Sequence, residues 1–416
     1  MNSGLQVRVD GSIVGRLWLD TRKRFCLQYD EKWLSTSRIP LSLSLPLRRE
    51  PYNDDESHPF FANLLPEEKM RAIIARNLGV SLNNDYGLLE KIGGDCAGAV
   101  SLYPILDGSE QEPGVYRQLS LDELNAIIGE LPKHPLLAGE KGIRLSLAGA
   151  QKKLPVYYDE QHFSLGLGNA PSSYIIKPPI DDLDGTVENE AYCMALAQVV
   201  GLDVPPSFIH QHGDGPRVFV IKRYDRMSTE AGIRRLHQED FCQALGIPPE
   251  FKYETEGGPS LAACFKLLRY SSIRSGKDVL SLLNWVIYNY LIGNSDAHGK
   301  NISLLLLPEG PILAPFYDLI STRVYAHYGL ASGLAMKIGG VSDPDALQKK
   351  QWEQFAEEVG IKPQLVLNRI VNLAKRIEDN RLQLFKGPFA PYRCDALYRL
   401  MECIGGQAEK TLRRIS

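Results

Sequence analysis

The chain lacks any run of 18 consecutive apolar residues, which is about the length that a membrane-spanning helix needs. Its first 15 residues, MNSGLQVRVDGSIVG, also lack the apolar segment of a secretory signal peptide. These absences predict a chain that neither spans a membrane nor leaves by the usual secretory route. The expected location is therefore the cytoplasm, with no membrane partner.

Paired cysteine motifs are absent as well. The seven cysteines are odd in number, are scattered along the chain and include no CxxC pair. This pattern argues against a disulfide framework and against a structural zinc site. It predicts reduced, mostly buried thiols, as is usual in a reducing compartment.

Neither sign of charge is in large excess, since 47 basic residues face 50 acidic ones and the formal net charge is -3. This balance argues against a protein whose whole surface binds nucleic acid, but it does not exclude a local basic patch. The 416 residues are 44% hydrophobic and 23% charged, an ordinary globular composition. At about 150 residues per domain, the length allows two to three domains.

The first part of the chain, residues 1–106, reads as a small α/β unit. Strands Leu5–Val9 and Ser12–Leu17 alternate on either side of a turn at Asp10 and Gly11. A helix is predicted from Pro66 to Asn77, closed by Gly79. The polar segment Asp107–Pro113 is the best candidate for a linker.

Residues 107–226 predict a second, mostly β part, and residues 227–416 a mainly helical third part. The elements expected there are a strand pair Ile143–Leu147 and Leu154–Tyr158, strands Tyr174–Lys177 and Arg217–Lys222, a helix from about Thr186, and a buried helix Asp278–Ile292. A small mixed lobe followed by a larger helical lobe is the outline of a kinase, although that order alone is only suggestive.

The most informative segment is GNSDAHGKN, residues 293–301, which follows the predicted buried helix. Asp296 and Asn301 stand five residues apart, as do the base and the metal-binding asparagine of a protein-kinase catalytic loop. The alternative is a helix C-cap at Gly293 or Asn294 followed by an Asx turn at Asp296. On this segment alone the two interpretations carry about equal weight.

Asp318 lies 17 residues after Asn301, at the end of the apolar stretch PFYDLIST. Burial of a carboxylate there costs free energy unless a cation or hydrogen-bond donors bind it. The position and chemistry are those of the second metal-binding carboxylate of a kinase. The alternative is a structural aspartate that caps the next turn.

Lys177 ends the apolar strand Tyr174–Lys177, where a kinase needs a lysine for the α- and β-phosphates. Glu190 follows 13 residues later, within the predicted helix, and would orient that lysine. Glu188 is a competitor, although an acidic residue in a first helical turn needs no functional explanation. The pair is weak by itself because a lysine at a strand end is usually just solvated.

Three further segments carry possible roles. The stretch SLAGAQKK, residues 146–153, could cradle phosphates, but it matches neither GxGxxG nor GxxxxGK[ST] and an ordinary hairpin connection is the alternative. Residues 222–226, KRYDR, could form a hinge beside an adenine, although a plain strand followed by an exposed charged turn is favoured on sequence alone. In HQEDFCQ, residues 237–243, a hydrogen-bond network at a helix start is favoured over a metal site.

Taken together, these segments resemble the HipA family of bacterial serine/threonine kinase toxins over nearly the whole chain. The matching stretches are SLAGAQKK, YIIKPP, VIKRYDR, HQEDFCQALG, GNSDAHGKN and FYDLIST, with FFANLLPEE and GDCAGAVSLYP in the N-terminal part. The resemblance implies an α+β, two-lobed protein-kinase-like fold with a small N-terminal α/β accessory domain and a largely helical C-terminal lobe. The predicted divisions are residues 1–106, 107–226 and 227–416.

The resemblance also implies the site. Asp296 would be the catalytic residue, Asn301 and Asp318 the metal ligands, Glu190 the residue that orients Lys177, and Ser146 the site of autophosphorylation. The nucleotide-binding residues would be Ala148, Gly149, Ala150, Gln151, Lys152, Lys153, Lys177, Lys222, Arg223, Tyr224, His298, Gly299, Lys300, Asn301, Tyr317 and Asp318. No chemical position departs from the family pattern.

The implied cofactors are ATP and Mg²⁺. The implied partners are a protein substrate of the translation machinery, with an aminoacyl-tRNA synthetase suggested, and a HipB-like antitoxin of the helix-turn-helix type that brings operator DNA. Two alternatives stay open: a small-molecule kinase of the aminoglycoside-phosphotransferase type, and a non-catalytic co-repressor of a DNA-binding antitoxin.

Overall fold

The computed structural model describes residues 4–105, 113–230, 232–330 and 332–415. Backbone contacts divide the chain into two units. The first unit comprises residues 1–178, 210–250 and 304–310, and the second comprises residues 179–209, 251–303 and 311–416. The three-part division at residues 106 and 226 stays a prediction, and the predicted linker lies outside the described residues except for Pro113.

The first unit begins with a four-stranded sheet. Its strands, in spatial order, are Phe25–Tyr29, Ser12–Leu19, Leu5–Val9 and Val100–Pro104. The predicted hairpin is confirmed, since Val9 pairs with Ser12 across a turn in which Asp10 and Gly11 both have positive φ. Alternate side chains of Leu5–Val9 are buried, which places one face of the sheet against the core.

A second sheet of this unit carries Lys177. Its antiparallel strands lie in the order Val115–Gln118, Phe163–Leu167, Leu154–Tyr158, Tyr174–Lys177 and Val218–Lys222. The predicted strand Ile143–Leu147 is wrong. The backbone of this segment instead forms hydrogen bonds with the backbone of Asp95, and Leu145 forms a single β-bridge with that residue. The segment therefore lies beside residues that are about 50 positions earlier in the chain.

The helices of the first unit are Glu31–Thr36, Asp54–Ala62, Glu68–Leu78, Asp85–Ile92, Leu121–Glu130 and Phe241–Ala244. Gly79 closes Glu68–Leu78 in the left-handed conformation, as predicted, although the helix starts two residues after Pro66. A hairpin of Arg226–Thr229 and Gly232–Arg235 and the short strand Gln238–Asp240 complete the unit. The predicted helix-start network is confirmed, because Asp240 and Gln243 form a capping box.

A buried ionic cluster lies in the first unit, where the sequence favoured an exposed charged turn. Asp95 accepts hydrogen bonds from Arg226 at 2.7 Å and from Arg223 at 3.4 Å, and Arg223 also pairs with Asp225 at 2.7 Å. All four side chains are almost fully buried, so the expectation of an exposed turn is wrong. Burial alone would raise the pKa of Asp95, but Arg226, Arg223 and Arg235 outweigh it and hold that pKa below its ordinary value.

The second unit is mainly helical. Its helices are Thr186–Val199, Leu261–Ser271, Ser275–Ile292, Lys349–Glu358, Pro363–Lys386 and Asp395–Ile415. The chain changes from one unit to the other at five points, and three of these lie within the short strands Ser207–His210, Ser303–Leu307 and Gly310–Leu313. All seven cysteines lie outside any disulfide and are buried or half-buried, which agrees with the predicted reduced thiols.

Ser275–Ile292 is the central helix of this unit, and all of its last eight residues are buried. It ends at Gly293, whose φ of 72° lies in the left-handed region. A Cβ atom at Gly293 would approach Cβ of Arg323 to 2.9 Å, so both the conformation and the space require glycine. The buried end of this helix therefore fixes the position at which the following loop begins.

Glu239, which precedes the capping-box residue Asp240, carries a fully buried carboxyl group. It accepts hydrogen bonds from the Ser42 hydroxyl and from the Leu43 backbone N–H at 3.0 Å. Burial is the largest influence on this group and outweighs both hydrogen bonds, raising the pKa of Glu239 to about 8. The folded state therefore favours the protonated carboxyl group at neutral pH.

We expect Glu239→Gln to become progressively more stable than the wild type as the pH rises. The pKa of Glu239 is raised on folding, so its contribution to stability is fully present below the unfolded value of 4.5 and is lost as the pH rises to about 8. Glutamine preserves an uncharged group with hydrogen-bonding capacity. The difference in Tm between variant and wild type should grow by up to about 5 °C between pH 5 and pH 8.5. Thermal denaturation of both proteins across this range measures it.

The exposed Glu50→Gln is the matched control and should show no such trend, since Glu50 is solvated. A Tm difference for Glu239→Gln that is constant from pH 5 to pH 8.5 would contradict the buried-carboxyl argument.

Candidate functional site

The loop after the central helix is fixed by side-chain amides. Asn294 is buried, donates to Oδ1 of Asn289 at 2.8 Å and accepts the backbone N–H of Asp296 at 3.0 Å. The helix C-cap at Gly293 considered in the sequence is therefore present, and the Asx turn starts at Asn294 rather than at Asp296. This local geometry orients Asp296, so it is compatible with a catalytic loop.

A second set of hydrogen bonds ties this loop to the segment after Asp318. The Thr322 hydroxyl accepts the backbone N–H of Ser295 at 2.8 Å and lies 3.3 Å from the Gly293 carbonyl. The same carbonyl accepts the backbone N–H of Arg323 at 3.0 Å. The two segments that carry the predicted catalytic and metal residues are therefore bonded to each other.

Asp296 presents its carboxylate to solvent, with 53% of the side chain exposed. Its Oδ1 accepts the hydroxyl of Tyr253 at 2.5 Å and lies 3.9 Å from Nε2 of His298. The Tyr253 ring packs edge-on against the His298 ring, with centroids 5.3 Å apart. An accessible carboxylate held by one phenol is suited to accept a proton from a substrate hydroxyl.

Sequence analysis missed Tyr253. It lies 43 residues before Asp296 and belongs to no recognised motif, so only the folded chain reveals the contact.

Asn301 and Asp318 lie side by side. Nδ2 of Asn301 donates to Oδ2 of Asp318 at 3.3 Å, while Oδ1 of Asn301 accepts the backbone N–H of His298 at 3.1 Å. Asp318 has a φ of 54°, a left-handed conformation that costs an aspartate energy and is common at functional sites. The Asp318 carboxylate and the remaining lone pair of the Asn301 amide oxygen are oxygen ligands of the kind that Mg²⁺ uses, together with phosphate oxygens.

Tyr317 supports this loop through its hydroxyl group. The hydroxyl donates to the Lys300 carbonyl at 2.7 Å and lies 2.7 Å from Oγ of Ser303. His298, Gly299 and Lys300 are buried within the short turn that contains Asn301. Tyr317 therefore uses its polar atom to position the loop.

The second unit thus brings together Asp296, His298, Gly299, Lys300, Asn301, Tyr317 and Asp318. Glu190 belongs to the same unit, on helix Thr186–Val199, and is buried. Glu188 is buried too, although sequence analysis treated it as an ordinary residue of a first helical turn. The orientation of Lys177 by Glu190 stays a prediction.

The predicted phosphate loop belongs to the first unit. Gly149 has a φ of 101°, and the Lys153 ammonium donates to the Ala148 carbonyl across the loop. Ala150, Gln151 and Lys152 are partly exposed or exposed, as a ligand-binding loop requires. Lys177 is buried at the end of its strand, with Nζ 5.9 Å from the centroid of the Phe219 ring.

The predicted hinge, Lys222–Tyr224, has two side chains engaged elsewhere. The Arg223 guanidinium belongs to the buried cluster with Asp95, and the Tyr224 hydroxyl donates to Oε1 of Gln238. The Arg223 backbone N–H donates to the Ser173 carbonyl at 2.9 Å. The side chain of Arg223 is thus a structural part of the first unit.

Ser146 is completely buried. Its hydroxyl donates to the Leu64 carbonyl at 2.8 Å, and its backbone N–H donates to the Asp95 carbonyl at 3.1 Å. A phosphate could not be attached to this oxygen without breaking the hydrogen bond to Leu64. Modification of Ser146 therefore requires a local opening of this segment.

Comparison with known proteins gives matches over most of the chain. The sequence model of the HipA N-terminal domain matches residues 5–103, and that of the HipA-like C-terminal domain matches residues 145–381. A Sinorhizobium fredii protein named "Putative kinase Y4mE" is 45% identical over 379 residues, which cover 89% of each chain. The serine/threonine-protein kinase toxin HipA of Shewanella oneidensis is 31% identical over 386 residues, covering 90% of this chain and 87% of that protein.

A solved structure also matches, that of the Shewanella oneidensis toxin–antitoxin system HipA, HipB and operator DNA complex. The matched chain is 27% identical, the TM-score is 0.84, and the match covers 99% of this chain and 98% of that chain. The predicted α+β, kinase-like fold is thereby confirmed. No helix in the described part of the chain combines the length and apolar character required to cross a membrane.

For the kinase activity proposed below, we expect Tyr253→Phe to lower the rate of phosphoryl transfer about tenfold without changing the KM for ATP. The variant removes the phenol that holds Oδ1 of Asp296, while the half-exposed carboxylate stays hydrated and the fold is preserved. Steady-state kinetics with radiolabelled ATP, together with Tm, measure both effects.

Tyr270→Phe is the control, because that tyrosine lies in the same unit and is 83% exposed. Equal rates for Tyr253→Phe and Tyr270→Phe would show that the phenol does not position Asp296.

Proposed function

Because this chain belongs to the HipA family, we propose that it is an ATP- and Mg²⁺-dependent serine/threonine protein kinase and the toxin of a toxin–antitoxin system. The relative from Shewanella oneidensis, named as a serine/threonine-protein kinase toxin, supports this proposal. It is also supported by the ordered motifs that carry Lys177, Asp296, Asn301 and Asp318.

The observation that carries the proposal is the bonded pair of segments around Asp296 and Asp318. An accessible carboxylate stands on one segment, and the Asn301 amide meets the Asp318 carboxylate at 3.3 Å. A scaffold protein would have no need for this strained and partly exposed acidic arrangement.

In the proposed mechanism, Asp296 accepts the proton of a serine or threonine hydroxyl group as that oxygen attacks the γ-phosphorus of ATP. The bond between this phosphorus and the β–γ bridging oxygen breaks, and ADP leaves. The phenol of Tyr253 would position the carboxylate before the substrate binds. Asn301 and Asp318 would hold Mg²⁺, which neutralises charge on the phosphates. Lys177 and the loop Ala148–Lys153 would supply positive charge and backbone N–H groups to the phosphates.

The proposed substrate is a protein of the translation machinery, with an aminoacyl-tRNA synthetase suggested by the family, and its phosphorylation would arrest growth and promote persistence. A HipB-like antitoxin of the helix-turn-helix type would bind the chain and bring it to operator DNA. Support for this partner comes from the matched HipA chain, which was solved with HipB and operator DNA.

A second candidate is a co-repressor without catalysis, favoured by that same complex with operator DNA. Two basic side chains near the C-terminus are poorly placed to contact DNA, because both already bind Asp345. Lys410 contacts Asp345 at 2.5 Å, and Arg414 donates to the Asp345 backbone carbonyl at 2.9 Å. ATP turnover by the isolated chain separates this candidate from the kinase.

Asp296→Asn should reduce phosphoryl transfer by at least about a thousandfold while nucleotide binding survives, because the variant removes the proton acceptor from an exposed loop position. Asp318→Ala is the matched comparison, since it should weaken Mg²⁺-dependent nucleotide binding. Turnover of a protein substrate and titration with a fluorescent ATP analogue, with and without Mg²⁺, distinguish the two losses. Wild-type turnover by Asp296→Asn would overturn the assignment of the base.

Phosphorylation of Ser146 should act as an off switch. A phosphate on this oxygen adds about 1.5 to 2 negative charges beside the loop Ala148–Lys153, and a buried hydroxyl has no room for it. The loop should leave its position, and ATP affinity should fall at least tenfold. The measurement compares ATP binding by the phosphorylated chain before and after phosphatase treatment.

Ser146→Ala, which cannot be phosphorylated, serves as the reference that phosphatase leaves unchanged. Equal ATP affinities of the phosphorylated and dephosphorylated chains would rule the switch out.

A further inference from the structure

One face of the C-terminal helix Asp395–Ile415 lies against the end of the central helix. Sγ of Cys403 would lie 3.5 Å from a Cβ atom on Gly293. Four residues of the chain later than Gln407, the hydroxyl of Thr411 lies 3.4 Å from the Tyr290 hydroxyl. The residues of this face have the spacing of one side of a helix and are Cys403, Gln407, Lys410, Thr411 and Arg414. The helix therefore packs at the point where the predicted catalytic loop begins.

Arg323 links this helix to the loop. Its backbone N–H donates to the Gly293 carbonyl at 3.0 Å. Its guanidinium donates to Oδ1 and Oδ2 of Asp345 at 2.9 and 2.7 Å, and it lies 3.4 Å from Oε1 of Gln407 on the C-terminal helix. Arg323 thus binds the start of the loop with its backbone, while Asp345 and Gln407 hold its side chain.

Asp345 is itself fixed by the C-terminal helix. The Lys410 ammonium contacts its Oδ1 at 2.5 Å, and Arg414 donates to the backbone carbonyls of Asp345 and Leu347 at 2.9 and 3.0 Å. Lys410 and Arg323 hold the pKa of the Asp345 carboxyl group below its ordinary value, so it is charged at neutral pH. A single exposed ion pair adds little stability, but here two cations share one carboxylate and a third fixes its backbone.

The position of Arg323 affects both ends of the short stretch that precedes the predicted base. The carbonyl of Gly293 accepts the Arg323 N–H, and the hydroxyl of the preceding Thr322 accepts the backbone N–H of Ser295 at 2.8 Å. Ser295 directly precedes Asp296. A shift of the Arg323 backbone would therefore change the start of the loop and the residue beside the base together.

We propose that Arg323 is a positioning residue for phosphoryl transfer, which, anchored by Asp345, fixes the loop that carries Asp296. This inference rests on the proposed kinase function. Arg323 lies one residue beyond the stretch FYDLIST and is not among the proposed nucleotide or metal ligands. Its loss should therefore slow the chemical step and leave ATP binding unchanged, because displacement of a base by about 1 Å is enough to slow a reaction.

The test measures phosphoryl transfer from radiolabelled ATP to bacterial lysate protein whose own kinases have been inactivated. Arg323→Gln and Asp345→Asn, each in the full chain, should lower the maximal rate at least about fivefold and leave the KM for ATP unchanged. The double variant should be no slower than the slower single variant, because both changes remove the same contact. Arg323→Lys keeps a cation for Asp345 and should recover most of the rate.

Glu378→Gln is the matched control. The Glu378 carboxylate also accepts two hydrogen bonds from one arginine, Arg381, both at 2.9 Å and in the same unit. Arg381 donates further to the Met401 carbonyl and not to the loop of Asp296. This variant should keep the wild-type rate, and Tm values recorded for all variants show whether a rate loss only follows a loss of stability.

Hydrogen–deuterium exchange supplies a measurement that does not depend on activity. The backbone N–H groups of Ser295 and Arg323 should exchange at least about fivefold faster in Arg323→Gln and Asp345→Asn than in the wild type or Glu378→Gln. Wild-type rates in both variants, rate losses that multiply in the double variant, or unchanged exchange at Ser295 would overturn the positioning role. Absence of transfer by the wild-type chain would instead overturn the proposed kinase function, and this role with it.

Discussion

The carbonyl of Gly293 is the point on which the candidate site depends. It ends the buried central helix and accepts the backbone N–H of Arg323, while the Thr322 hydroxyl bridges it to the loop of Asp296. Only glycine fits there, because the φ is positive and the Arg323 side chain leaves no space for a Cβ atom. This backbone group therefore helps to hold the predicted base close to the segment of the predicted metal ligand, as positioned catalysis requires.

In the first unit the corresponding constraint is the carboxylate of Asp95. It joins residues of the matched N-terminal domain to Arg223 and Arg226 of the matched C-terminal domain, all nearly fully buried. A buried charge of this kind is costly to leave unpaired, so the N-terminal segment completes the folded unit. The backbone of Asp95 also accepts the N–H of Ser146, which places the predicted phosphorylation site against the same cluster.

Sequence patterns predicted the structural features that depend on residues close together in the chain. The Asp10–Gly11 hairpin, the strand Tyr174–Lys177, the helix from Thr186 and the glycine that closes the central helix follow from turn chemistry, alternation and capping. Spacing, position and the family resemblance together predicted roles for Asp296, Asn301 and Asp318, and the structure adds the hydrogen bonds around them. Tyr253, the cluster of Asp95 and the burial of Ser146 could not be predicted, since each arises from contacts between segments more than 40 residues apart.

Two buried carboxyl groups of the first unit show why side-chain type and burial alone do not determine chemistry. Asp95 and Glu239 are both removed from water, yet the pKa of the first is lowered and that of the second rises to about 8. The difference lies in the neighbours: three arginines surround Asp95, whereas Glu239 meets a hydroxyl and one backbone N–H. Neutral donors compensate only part of the desolvation cost, while cations can reverse its effect on the pKa. Asp296 differs from both carboxyl groups, because it is accessible to solvent and accepts a hydrogen bond from the Tyr253 phenol, which fits the role proposed for it.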